Sequence, residues 1–124
     1  MPDPVDVPSI PPNNATYSQA VRMGGMIYVS GQLGIDPATR QLAPGGIREQ
    51  TQRAIENISA ILAAAGSDLA QAGKVNIFIT DFSLLGEMNE VFARYFPHRP
   101  AKTTVEISRL DKGALIEIEV VAES

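Results

Sequence analysis

The sequence predicts an α+β fold, a two-layer sandwich with two helices on one face of a mixed sheet. Two observations carry it. Strand-like and helix-like runs follow one another in the order β-β-α-β-α-β-β. Two longer segments repeat apolar residues at helical spacing, while the C-terminal runs alternate apolar and polar residues. Each helix leads into a following strand, so two right-handed β-α-β crossovers are expected. Two helices cannot cover both faces of such a sheet, so one face stays open.

The elements justify themselves in turn. Residues 1–16 carry Pro2, Pro4, Pro8, Pro11 and Pro12 and little periodicity, and read as an extended lead-in, mobile at its start. Residues 17–23 and 26–32 read as strands joined by Gly24-Gly25, because both central positions of a type I′ turn need positive φ. That turn sets Met23 opposite Met26, Val21 opposite Tyr28, Gln19 opposite Ser30 and Tyr17 opposite Gln32. Ala20, Ile27, Val29 and Gly31 form the smoother apolar face and should meet the helices. Asp36-Pro37-Ala38-Thr39-Arg40 is a turn and Pro44-Gly45-Gly46 a loop. Apolar residues from Ile47 through Ala54, Ile55, Ile58, Ile61 and Leu62 to Ala65 mark the first helix, ended by Gly66. Val75, Ile77 and Ile79 lie on one face of the next strand. Leu84, Leu85, Met88, Val91, Phe92, Tyr95 and Phe96 stripe the second helix, which Pro97 closes. Residues 103–108 and 115–122 are the last strands, joined through Asp111-Lys112-Gly113.

Composition narrows the function. At 124 residues the chain reads as one domain, 1–124. No run of about 18 apolar residues could span a membrane, and no signal peptide is visible, so a soluble cytoplasmic protein is expected. The chain has no cysteine and one histidine, which excludes disulfides, thiolate nucleophiles, zinc-thiolate sites and a two-histidine ribonuclease site within one chain. Scattered carboxylates define no metal constellation. A net charge of −4 argues against sequence-independent nucleic-acid binding. A local basic spot remains at Arg94, His98, Arg99 and Lys102, where cations also suit a helix C-terminus.

Strand parity then proposes a site. With Ile116, Ile118 and Val120 against the helices, Glu117 and Glu119 point away. With Val105 and Ile107 inward, Lys102, Thr104, Glu106 and Ser108 point away too. The open face would thus collect Lys102, Glu117, Glu119, Glu106, Tyr17, Tyr28 and Ser30. A cation that holds a carboxylate beside a glutamate that activates water could work there. The plainer alternative is a solvated sheet face with weak cross-strand ion pairs.

Several segments together resemble the Rid family (RidA/YjgF, also called the L-PSP endoribonuclease family). They are Tyr17-Ser18-Gln19-Ala20-Val21, Tyr28-Val29-Ser30-Gly31-Gln32, Gln50-Thr51, Asn57-Ile58, Met88-Asn89, Tyr95-Phe96-Pro97, Pro100-Ala101-Lys102-Thr103-Thr104-Val105 and Glu117-Ile118-Glu119. The resemblance implies a chorismate-mutase-like fold and a homotrimer with a central β-barrel and pockets between subunits. It implies cofactor-free hydrolysis of reactive enamines and imines, such as 2-aminoacrylate, to 2-oxo acids and ammonia. It assigns substrate binding to Tyr17, Ser30, Gly31 and Asn89, water positioning to Glu117 and the carboxylate anchor to position 102, where the family has arginine. Here that residue is Lys102, a point charge on a flexible stem rather than a planar fork. Weakened or altered deamination, a small-carboxylate-binding or regulatory trimer without turnover, and, last, an endoribonuclease are the readings it leaves. The segment from Tyr95 to Lys102 is shorter than in many relatives, which would reshape the pocket rim that includes His98 and Arg99.

Overall fold

The computed structural model of the chain describes residues 1–124. Its strands are β1 (Asp3–Pro4), β2 (Ala20–Met23), β3 (Met26–Leu33), β4 (Ala72–Ile79), β5 (Ala101–Glu106) and β6 (Ile116–Glu123). Its helices are α1 (Ile47–Ala64) and α2 (Leu85–Tyr95). One six-stranded mixed sheet has the order β1-β2-β3-β6-β4-β5. β3 and β4 both run antiparallel to β6, and β5 runs parallel to β4. The expected α+β sandwich is therefore present.

The hairpin register follows the Gly24-Gly25 turn as expected, with Met23 opposite Met26 and Val21 opposite Tyr28. Both glycines have positive φ, 61° and 78°. Ile27, Ile55, Ile58, Ile61, Leu62, Val75, Ile77, Ile79, Met88, Ile116 and Ile118 are fully buried between sheet and helices. Burying that many branched side chains at roughly 1.5–3 kcal/mol each is what holds the two layers together.

Three features add to the expected fold or correct it. First, the extended lead-in is packed onto the domain. Its β1 pairs with β2, the Val5 amide donates to the Ala20 carbonyl at 2.9 Å, and Val5, Val7 and Ile10 are buried in the core. Second, β3 carries a bulge between Val29 and Gln32. Val29 still faces Val120, but Gln32 pairs with Ile118 and Leu33 with Glu117, so alternation reverses past the bulge. Gln32 therefore sits with the buried face, and Leu33 with the open one.

Third, the parity of β5 is opposite to the one expected. Lys102 pairs with Val75, Thr104 with Ile77 and Glu106 with Ile79, all of which face the helices. Thr103 and Val105 pair with Asn76 and Phe78, whose partners on β6 are Glu119 and Glu117. Lys102 and Glu117 thus lie on opposite faces of the sheet. β5 is an edge strand with little buried surface on either side, so the alternation of Val105 and Ile107 carried no packing signal. Parallel pairing with β4 sets its register instead.

Candidate active site

β2 begins only at Ala20, opposite Val29. Beyond that point β3 has no ladder neighbour on its β2 side, apart from the Ser30 amide donating to the Gln19 carbonyl at 2.9 Å. A cleft of about 590 Å³ occupies the missing place. Its walls are the lead-in (Ile10, Pro11, Asn13, Tyr17), β3 itself (Ser30, Gly31, Gln32, Leu33) and Glu117 of β6. Tyr17, Ser30 and Glu117 are therefore brought together as strand parity suggested, Gly31 joins them as the resemblance implied, and Lys102 and Asn89 stand elsewhere.

Glu117 lies flat against Gly31. A Cβ at residue 31 would sit 2.7 Å from the Glu117 carboxyl carbon, so only glycine leaves the carboxylate its place. Burial, and after it the nearby charge of Glu119, raises the Glu117 pKa above the ordinary glutamate value. Glu119 is itself occupied, accepting from Asn76 Nδ2 at 3.2 Å. The Ser30 hydroxyl donates to the Ser18 carbonyl at 2.6 Å, leaving its oxygen able to accept. The Tyr17 hydroxyl oxygen accepts from the Asn13 amide at 3.1 Å, leaving its proton able to donate. Around one carboxylate the cleft thus offers an acceptor, a donor and a glycine-walled opening.

The cation forms a second cluster, on the helix side of β5. Lys102 Nζ donates to Asn89 Oδ1 at 2.7 Å and lies 4.6 Å from the centre of the Phe92 ring. Burial lowers the Lys102 pKa. His98 Nε2 is 2.8 Å from the Ala72 carbonyl, which ties it to the start of β4 rather than to the cleft. Arg99 holds positive φ in the loop before β5. From β6 to β5 is two strand spacings, roughly 10 Å, with the sheet itself between the two faces. One chain therefore cannot close Lys102 and Glu117 on a single small molecule.

Asn57, Arg40 and Lys112, to which the sequence assigned no site role, also line the cleft. Asn57 is buried, its Nδ2 donating to the carbonyls of Leu33 and Ile35, with its Oδ1 unpartnered. An amide between Ala54 and Ile61 on an apolar helix stripe was the available signal. No cluster of three or more His, Cys, Asp or Glu side chains is placed to hold a metal ion.

The family model described as endoribonuclease L-PSP matches residues 8–124. The chain belongs to that family. Among L-PSP relatives, a RutC family protein of Pyrococcus abyssi is 48% identical over 107 residues, 86% of this chain and 84% of that one. The 2-iminobutanoate/2-iminopropanoate deaminase of Rattus norvegicus is 42% identical, covering 86% of this chain and 78% of its own. Among solved L-PSP structures, RidA from the Antarctic bacterium Psychrobacter sp. PAMC 21119 superposes with a TM-score of 0.90 at 39% identity, covering 97% of this chain and 98% of that one. E. coli TdcF with bound serine gives 0.91 at 30% identity, covering 98% of both chains.

Proposed function

We propose that the protein hydrolyses the enamine and imine forms of small 2-amino acids to 2-oxo acids and ammonia, at sites completed by a second copy in a homotrimer. The observation that carries this reading is the glycine-walled, half-buried Glu117 in a cleft with Tyr17 and Ser30. The 42% identity to a mammalian 2-iminobutanoate/2-iminopropanoate deaminase supports it.

An enamine first takes a proton on carbon and becomes the imine. Glu117 accepts a proton from a bound water whose oxygen adds to the imine carbon, and passes that proton to the imine nitrogen, giving a carbinolamine. The carbinolamine hydroxyl proton then passes through Glu117 to the nitrogen as the C–N bond breaks, so ammonia leaves and the 2-oxo acid remains. The raised pKa of Glu117 makes it a stronger proton acceptor than an ordinary glutamate. Arg40 and Lys112 line the cleft but stand exposed on its bordering turns, so the substrate carboxylate is assigned a third cation. Lys102 of a neighbouring copy, steered by Asn89 and Phe92, supplies it.

Lysine at position 102 favours one alternative, a trimer that binds small carboxylates without turnover, because a point charge orients a carboxylate less firmly than arginine does. The net charge of −4 gives no support to RNA cleavage.

The test follows 2-iminobutanoate, generated in situ, by its absorbance. The expected result is imine loss faster than in buffer, with Glu117→Ala lowering kcat about 10²–10⁴-fold. A wild type no faster than buffer that still binds 2-oxobutanoate would give the binding trimer the better claim. Full activity in Glu117→Ala would remove the water-positioning role.

A further inference from the structure

We propose that Arg40 and Lys112 form a second anion subsite in the cleft, one that selects imines carrying a distal carboxylate. The choice of substrate rests on the deaminase reading; the subsite itself does not.

Topology brings the two cations together. β3 ends at Leu33, beside Glu117, where β6 begins. The turn after β3, which carries Arg40, and the turn before β6, which carries Lys112, therefore lie at the same end of the sheet. Both residues line the cleft that holds Glu117.

The backbone at both positions is unusual in the same way. Arg40 has φ 61° and Lys112 φ 60°. Only three non-glycine residues adopt positive φ, and all three, Arg99 included, are cations. Turns with this geometry favour glycine or asparagine. Strained backbone under a functional side chain is a pattern of ligand sites.

Both turns are also pinned. Arg40 N–H donates to the Asp36 carbonyl at 2.8 Å, and the Asp36 amide donates to the Gln41 carbonyl at 2.9 Å. Lys112 N–H donates to Asp111 Oδ1 at 3.0 Å. The Leu115 amide donates to Gln50 Oε1 at 2.8 Å, anchoring the second turn to α1. Their backbones are held, yet their charged ends are free. The ion pairs of the chain join Arg48 to Glu87 and Glu90, and Arg53 to Glu56, and neither Arg40 nor Lys112 makes a side-chain hydrogen bond. Asp111 also lines the cleft and offsets part of their charge, but one of its oxygens is committed to the Lys112 amide.

Size points the same way. A cleft of about 590 Å³ falls in the range of roughly 300–1,000 Å³ that takes ligands far larger than a four-carbon acid. With the reacting carbon at Glu117, a second carboxylate on the substrate would meet the two free cations that line the same cleft.

The test compares the imine of a five-carbon dicarboxylic amino acid with 2-iminobutanoate, for the wild type and for the double variant Arg40→Gly, Lys112→Gly. Glycine accepts the left-handed backbone, so both turns are kept. The ratio of kcat/KM for the dicarboxylic over the monocarboxylic imine should fall about tenfold or more in the variant. Arg53→Gln, which removes a cation outside the cleft, should leave the ratio alone. A ratio unchanged by the double variant overturns the subsite. Calorimetry with 2-oxopentanedioate and 2-oxobutanoate gives a second reading that needs no turnover. The wild type should prefer the dicarboxylate and the double variant should lose that preference. Equal affinities in the wild type overturn the subsite, while a preference without any imine hydrolysis keeps it and sinks the deaminase reading.

Discussion

Among single residues, Glu117 holds the most consequence. Its pKa is raised chiefly by burial, so the folded chain holds that proton more tightly than the unfolded chain does. The stability this contributes is fully present below the ordinary glutamate value of 4.5 and is lost as pH rises through the raised folded value. Glu117→Gln removes the titration. Thermal midpoints of the wild type and Glu117→Gln, measured from pH 4 to pH 8, should therefore diverge in favour of the glutamine variant as pH rises. A constant difference across that range would mean that the carboxylate is solvated in the folded protein. The close packing of Gly31 on the same carboxylate shows how one missing side chain sets the position of its neighbour.

At the scale of elements, helix α1 ends as its sequence says it should. Gly66 has φ 83°, its amide donates to the Ala63 carbonyl at 3.0 Å, and the Ser67 amide donates to the Leu62 carbonyl at 2.8 Å. This is the paired arrangement that closes a helix on a left-handed residue. Gly66→Ala should cost about 1 kcal/mol and lower the thermal midpoint by about 3–5 °C. An unchanged midpoint would show that the turn relaxes. Both helices, the hairpin and the β6 face were legible because their periodicities report burial. The bulge in β3 was not, since one extra residue leaves no compositional mark between Val29 and Gln32. The face of Lys102 was not, because an edge strand exposed on both sides has no apolar alternation to read. Tyr17, Ser30 and Glu117 could be grouped by strand parity, whereas Gly31, which parity set on the helix-facing side, joined them only through the family resemblance and is turned toward Glu117 by the bulge. Asn89 and Lys102 meet each other across the helix layer and not the cleft, an arrangement that strand parity alone hid.

For the whole molecule, the separation of Lys102 from Glu117 makes a prediction that a one-chain site would fail. Lys102→Ala and Glu117→Ala should each be inactive alone. Unfolded together and refolded as a mixture, they should recover activity in about a quarter of the sites, because each site then draws its cation and its carboxylate from different chains. The same preparation should elute in light scattering at about three times the 13.3 kDa of one chain. No recovery from the mixture would place both groups in one chain and contradict the face assignment. The sheet between the two clusters also acts as an insulator. In the proposed homotrimer, a copy that has folded but not yet met its neighbours would carry a carboxylate without the cation that anchors the substrate beside it, and a cation with no site to serve. On that reading it is latent, and chemistry begins only when each copy lends its lysine to the next and borrows one in return.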